Sequence, residues 1–279
     1  MLTLKNEKYL QMSKLLKLIK VLRLIVKKPR LLNIIINEDE NFRDTVHKKH
    51  GLLNGLPQID ITHLVPNFNE TINHYAFLDG GSSPLDIALL KQLAKKYKIK
   101  SYLEIGTWRG ESVANVAEVV DECYTINLPD EEIYKLLPDS NYIASHRFFS
   151  DKLENVTHIN SHSQNFDYKS LNKEFDMVFI DGDHHYISVK SDTKSVFEVI
   201  NPEHSIVVWH DYTFSPESIR WEVLNAILDG MNKDYHKYLY HVSNTNCAVY
   251  IPQKLIARTM VKYELPDKKY IINIRTKKI

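Results

Sequence analysis

Between residues 80 and 253 the chain alternates short apolar runs with stretches whose apolar residues recur every three or four positions. The runs KSYLEIG, ECYTINL, VTHINSHS, FDMVFIDGD and HSIVVWHDY are rich in β-branched and aromatic residues, which predicts strands. GESVANVAEVV, YISVKSDTKSVFEVI and SIRWEVLNAIL carry helical spacing, and the stretch up to Phe149 reads as helical or mixed. YLYHVS and NCAVYIP read as a closing hairpin. In GGSSPLDIALLKQLAKKYKIK, Ser83 suits an N-cap, Pro84 the first helical position and Asp86 the third, so a helix is expected to run to about Tyr97. Strands alternating with helices at this spacing predict a parallel sheet covered by helices on both faces.

Outside that region the pattern changes. In residues 14–28, KLLKLIKVLRLIVKK, the side chains of Leu15, Leu18, Ile19, Leu22, Ile25 and Val26 share one helical face. Lys14, Lys17, Lys20, Arg23, Lys27 and Lys28 fall mostly on the other, and Pro29 is expected to stop or kink the helix. Such a helix either packs on the protein's own body or a second subunit, or it lies in an anionic membrane surface. Residues 38–80, interrupted by Pro57 and Pro66, read as an irregular linker or lid. The expected organisation is a basic amphipathic N-terminal helix within 1–37, a linker or lid over 38–80, an α/β domain over 81–253 and a basic tail over 254–279.

Composition narrows the classes. A formal net charge of +1 over 279 residues argues against a nucleic-acid partner on bulk electrostatics. Cys123 and Cys247 are far apart with no CxxC spacing, which fits buried free thiols in a reducing cytoplasm rather than a zinc site or disulfide framework. No stretch approaches the roughly 20 apolar residues of a membrane span, and the N-terminus lacks a clean secretory signal. The expected location is cytoplasmic, and at the inner face of the membrane if residues 14–28 bind lipid.

The chemistry gathers at strand ends. FDMVFIDGDHHY delivers Asp181, Asp183, His184 and His185 to one turn, and IVVWHDY ends in His210 and Asp211. Ligands of open parallel sheets bind beyond the carboxyl ends of strands, so these groups meet if the two strands are neighbours. The strand ending LEIGTWRGES places Gly106 where a tight turn lets a ligand approach and Gly110 where helix and strand pack closely. Glu104, just before it, suits an ammonium group. Neither G-x-G-x-x-G nor G-x-x-x-x-G-K-[ST] occurs, which weighs against a dinucleotide dehydrogenase and a phosphate loop.

Taken in order, YLEIGTWRGESVANVA, YTINLP, FDMVFIDGDHHYISVKSD and IVVWHDY resemble the motifs of class I S-adenosylmethionine-dependent methyltransferases. They are most similar to the small-molecule and sugar O-methyltransferases of the macrocin and caffeoyl-CoA type, over roughly residues 80–253. The resemblance implies an α/β fold, doubly wound, with a mostly parallel seven-stranded Rossmann-like sheet, an antiparallel last strand and an N-terminal helical extension. It implies that Glu104, Gly106, Thr107 and Gly110 line the methionine portion of S-adenosyl-L-methionine, that Asn127 meets the ribose, Ser163 the adenine, and that Asp181 lies beside the reactive methyl. Asn127 stands where an acid is usual and is a weaker acceptor. Metal-dependent relatives take their ligands from the fourth and fifth strand ends, here Asp181, His210 and Asp211. The His-Asp pair replaces the more usual Asp-Asp or Asp-Asn, so His210 has three open roles: ligand to an ion softer than Mg²⁺ such as Mn²⁺ or Fe²⁺, general base, or strand cap.

Methyl transfer from sulfonium to oxygen is an in-line displacement that gains from positioning and from a base, typically worth ~10² to 10⁴ in rate. The expected function is O-methylation of a small hydroxylated acceptor such as a sugar or glycan, with Asp181, His184 and His210 as catalytic candidates and a divalent metal (Mg²⁺ or Mn²⁺) as a second cofactor. Asp183 reads as turn-fixing or catalytic, Asp192 as locally paired or supporting the site, Tyr186 as packing, and Trp108 as packing or a cover for the ligand. The remaining histidines are assigned surface or core roles. The rival classes are a metal-dependent hydrolase using the Asp/His cluster and a non-catalytic module that binds a membrane or partner through its N-terminal helix. A homodimer through that helix is compatible with the pattern.

Overall fold

Both faces of the central strands are apolar, and that dictates the layering. Strands β2 (Ser101–Ile105), β5 (Met177–Ile180) and β6 (Ile206–Trp209) are buried at every position, so helices must cover both sides. The computed structural model describes residues 2–29 and 38–278. On one face Leu103, Ile105, Val178, Ile180, Val207 and Trp209 pack against α2 (Glu38–His50), α8 (Tyr186–Val196) and α9 (Trp221–Gly230). On the other, Tyr102, Met177, Phe179, Ile206 and Val208 pack against α3 (Ile61–Leu64), α4 (Pro84–Tyr97) and α5 (Glu111–Val116).

The sheet has eight strands in the order β1-β9-β10-β6-β5-β2-β3-β4, with β1 (Gln58–Ile59), β3 (Glu122–Asn127), β4 (Val156–Asn160), β9 (Leu239–Val242) and β10 (Ala248–Tyr250) completing it. All pairs are parallel except β10 with its neighbours β6 and β9. The seven expected strands are present and the last is antiparallel; β1 adds an eighth at the edge. From β2 the chain proceeds outward to β3 and β4, then returns to β5 on the opposite side, so strand order reverses between β2 and β5. That is the position where such sheets bind ligands. Ile105 pairs with Ile180 and Ile180 with Trp209, so the residues that follow, Gly106, Asp181 and His210, emerge side by side.

The local signals at α4 act as read. The Ser83 hydroxyl accepts from Asp86 N and the Asp86 carboxylate accepts from Ser83 N, a reciprocal capping box with Pro84 in the first turn. Three readings need correction. Residues 38–80 are not irregular throughout: 38–50 form α2, packed on α9, and Gln58–Ile59 join the sheet. A two-stranded ribbon, β7 (Thr213–Ser215) with β8 (Ser218–Ile219), precedes α9, where helical spacing alone was expected. Residues beyond 253 are tied to the domain: Arg258 exchanges both backbone hydrogen bonds with Gln58, and Lys268 pairs with Asp60 at 2.7 Å. The N-terminal helix α1 spans Leu2–Lys27, ending before Pro29; residues 30–37 of the expected N-terminal unit lie outside the described residues. No helix among the described residues is long and apolar enough to cross a membrane.

Candidate cofactor and acceptor site

The turn after β2 is built by two glycines at positive φ. Gly106 (φ +95°) runs so close to β5 that a Cβ there would sit 2.1 Å from the Asp181 carbonyl oxygen, and Gly110 (φ +75°) passes against Ser150. At Gly106 a side chain is excluded by backbone and at Gly110 chiefly by the Ser150 side chain, and the positive φ at both favours glycine. Glu104 is fully buried below the turn, bonded to the Tyr102 hydroxyl at 2.7 Å, with Oε1 unpartnered. Burial, with the Asp181 charge adding to it, pushes its pKa up to about 8. Thr107 spends its hydroxyl on Thr125 (2.6 Å). Trp108, itself at positive φ, packs edge-on to His146 and tilted on Tyr142.

A strap of residues 73–82 lies across this turn. Asn115 Oδ1 accepts from Asn73 N, Glu111 Oε1 from Ala76 N, and the Arg109 guanidinium donates to the carbonyls of Leu78 and Asp79. The strap ends on Ser82, whose hydroxyl donates to Asp181 Oδ2 at 2.7 Å.

Asp181, His210 and Asp211 converge where β5 and β6 end, with one donor atom from each within 4.8 Å of the others. Asp211 holds a left-handed backbone (φ +56°) that is uncommon outside glycine and clusters at functional sites. His210 Nδ1 is buried 3.0 Å from Asp181 Oδ1 and 3.7 Å from Asp211 Oδ2, yet out of line for a hydrogen bond. Its Nε2 lies 3.3 Å from Asp86 Oδ2; a carboxylate only accepts, so Nε2 carries the proton. Burial opposes charge on this imidazole, but Asp181, Asp211 and Asp86 outweigh it and hold its pKa well above 6.5. Asp211, despite burial that acts the other way, is held below the usual aspartate value by His210 and Arg220. The crevice among these groups has a volume of about 10 Å³, the scale of one ion or one water.

The remaining sequence candidates fall around these two features. His184 is half exposed, its Nδ1 3.9 Å from Asp211 Oδ2. Asp183 bonds His185 and Ser188 and so fixes the turn into α8, the structural one of its two readings. Asn127 ends β3 and its amide contacts His146 Nδ1 at 3.1 Å. Ser163 opens a short 3₁₀ turn beside Asp192, which is buried with one oxygen unpartnered; burial raises its pKa to about 6. An open cleft of about 350 Å³, lined by Leu128, Glu132, Lys135, Leu136 and His162, lies beyond the ends of β3 and β4, next to Asn127.

Sequence reasoning missed four residues. Asp86 was read only as a helix-start residue, yet it also orients His210 from 124 positions away. Ser82 and His146 carried no local signal. Arg220 lies 3.7 Å from Asp211, stacks on Phe214 at 4.5 Å, and has two buried N–H groups without partners.

Residues 103–212 match a family model described as a methyltransferase domain. That span begins inside β2 and ends just after Asp211, so it contains the glycine turn and the Asp/His cluster together. Over that span the chain is similar to a methyltransferase domain, and the sheet order and the site at its strand ends fall within or beside it. No curated protein sequence matches the chain. Among solved structures it is similar to an O-methyltransferase from Bacillus cereus in complex with SAH (16% identity, 55% of this chain, 70% of that one, TM-score 0.40). It is also similar to the SAM-bound O-methyltransferase TomG of Streptomyces achromogenes (18%, 61% and 79%, TM-score 0.42) and to a SAH-bound methyltransferase of Podospora anserina (21%, 57% and 64%, TM-score 0.39).

Proposed function

We propose that the chain transfers the methyl group of S-adenosylmethionine to a hydroxyl of a small acceptor, a sugar or glycan being the class it fits best. The observation that carries the reading is the contact of two features: the Gly106 bend touches the backbone of Asp181, whose side chain meets His210 and Asp211. A donor seated on the bend therefore faces the acidic cluster directly. Glu104 and the turn suit the methionine portion, and the cleft beside Asn127 suits the nucleoside. The strap, latched to Asp181 through Ser82, would exclude water from the reacting atoms.

In the reaction the C–S bond of the sulfonium breaks as the acceptor oxygen takes the methyl, and the hydroxyl proton must leave. His184, half exposed with its Nδ1 3.9 Å from Asp211 Oδ2, would take it. Phe214 offers an exposed aromatic face beside Asp211 on which the apolar side of a sugar ring can pack.

The donor set fits a divalent cation: two carboxylates and a buried imidazole nitrogen without a hydrogen-bond partner, whose proton the ion would displace. Asp181, His210 and Asp211 would hold it, and it would orient the acceptor hydroxyl and lower its pKa. The nitrogen donor favours Mn²⁺ over Mg²⁺. Asp86 then serves as the outer partner that fixes the His210 ring, as carboxylates commonly do for metal-bound histidines. Asp86→Asn is expected to weaken Mn²⁺ binding by about 10- to 100-fold, read by calorimetric titration of the folded variant. Unchanged affinity would remove Asp86 from this role.

The methyl-transfer reading is tested with isotope-labelled S-adenosylmethionine and a cell extract, followed by mass spectrometry for a labelled small molecule. A labelled ether that disappears with the Asp181→Asn protein is the expected result. Turnover of an extract component without the cofactor would instead favour metal-dependent hydrolysis.

A further inference from the structure

We propose that α1 docks on an anionic lipid surface. The reason is a stripe that the described residues leave largely open, with Ile25 alone half-buried, and the charge that borders it. Leu18, Ile19, Leu22 and Val26, which share a face at helical spacing, are 54, 40, 53 and 81% exposed. They gain no shelter from the protein's own α/β domain, so one of the two alternatives to a membrane, packing on that domain, is not what this structure shows.

The other alternative is a second copy of the chain. Between residues 14 and 28 there are six cations and no acid. Around the helix, at 100° per residue, the six cations are spread over the arc outside the stripe, interleaved with Leu16, Val21 and Leu24, and Lys14 and Arg23 lie nearest its two edges. Pairing two such stripes would bring like charges together along both flanks with nothing to neutralise them. A bilayer carrying anionic headgroups solves both problems at once: the stripe enters the acyl boundary while the lysines reach sideways to the headgroups. The helix is too polar to span, so the contact is peripheral. The inference is independent of the methyl-transfer reading, and its test does not use activity.

The full chain is sedimented with vesicles of phosphatidylcholine, with and without phosphatidylglycerol, at two salt concentrations. The expected result is binding to the phosphatidylglycerol vesicles that is at least about tenfold tighter than to phosphatidylcholine alone and falls with salt. Leu22→Glu, and separately the pair Lys17→Glu/Lys20→Glu, should each lose on the order of tenfold in lipid affinity with the melting temperature of the α/β domain unchanged. Absence of vesicle binding overturns the proposal, as does binding indifferent to phosphatidylglycerol. So does a lipid-free dimer, by light scattering, that Leu22→Glu converts to monomer.

Discussion

Asp181→Asn is expected to reduce methyl transfer by about 10²-fold or more while cofactor affinity changes far less. The side chain is the common point of the site: Ser82 donates to one oxygen, and His210 approaches the other at 3.0 Å. Asparagine keeps the shape and can still accept from Ser82, so the strap stays latched. What it loses is the negative charge that faces His210 and would help hold a cation or an acceptor hydroxyl. The backbone contact with Gly106 is untouched by the change. Single-turnover kinetics with labelled cofactor, beside a calorimetric titration, separates the two effects. Undiminished turnover would place the chemistry elsewhere.

Gly106→Ala is expected to damage both stability and cofactor binding. A left-handed conformation costs a non-glycine residue on the order of 1–3 kcal/mol by itself. At Gly106 a second cost is added, because the new methyl would press on the Asp181 carbonyl at 2.1 Å and on Gly182 Cα at 2.8 Å. Backbone cannot swing aside as a flexible side chain can, so β2 and β5 must part at the ligand-binding edge. Gly51 supplies the control: it has φ +71° but nothing within 4 Å of an added Cβ. Gly51→Ala should show the conformational cost alone, a fall in Tm of roughly 2–12 °C. Gly106→Ala should exceed it and also lose at least about tenfold in S-adenosylmethionine affinity, a loss worth only ~1.4 kcal/mol. Equal melting temperatures for the two variants, with cofactor affinity intact, would contradict the close approach of β2 and β5.

What the sequence revealed follows from how local each signal was. Ser83, Pro84 and Asp86 lie within four positions, and the start of α4 could be read from them. Strands β5 and β6 are continuous apolar runs because both their faces are buried, and β2, buried at every position, is interrupted only by Ser101 and Glu104, so their pattern is strong. Helix α2 escaped notice because only Val46 of its residues is fully buried, leaving no apolar stripe. Its acidic first turn (Glu38, Asp39, Glu40) and basic last turn (His47, Lys48, Lys49, His50) match the helix dipole and were the available clue. Strand β1 is two residues long and owes its place to β9 and Arg258 rather than to its own pattern.

The site divides in the same way. Asp181 and Asp211 were legible because each ends a recognisable strand, and neighbouring parallel strands bring their ends together. The second role of Asp86 was not, because its bond to His210 joins α4 to β6 across the sheet edge. His146 looked like any other histidine until the chain after α7 (Ser140–Ser145) placed it between Trp108 and Asn127. Such residues are defined by tertiary placement, and no window of sequence contains both partners.

The most direct test of the donor seat is a crystal structure of the protein with S-adenosylhomocysteine. The thioether sulfur should lie at the Gly106 bend within reach of Asp181, with the nucleoside toward Asn127. A ligand found away from that bend, or no binding at millimolar concentration, would contradict the account.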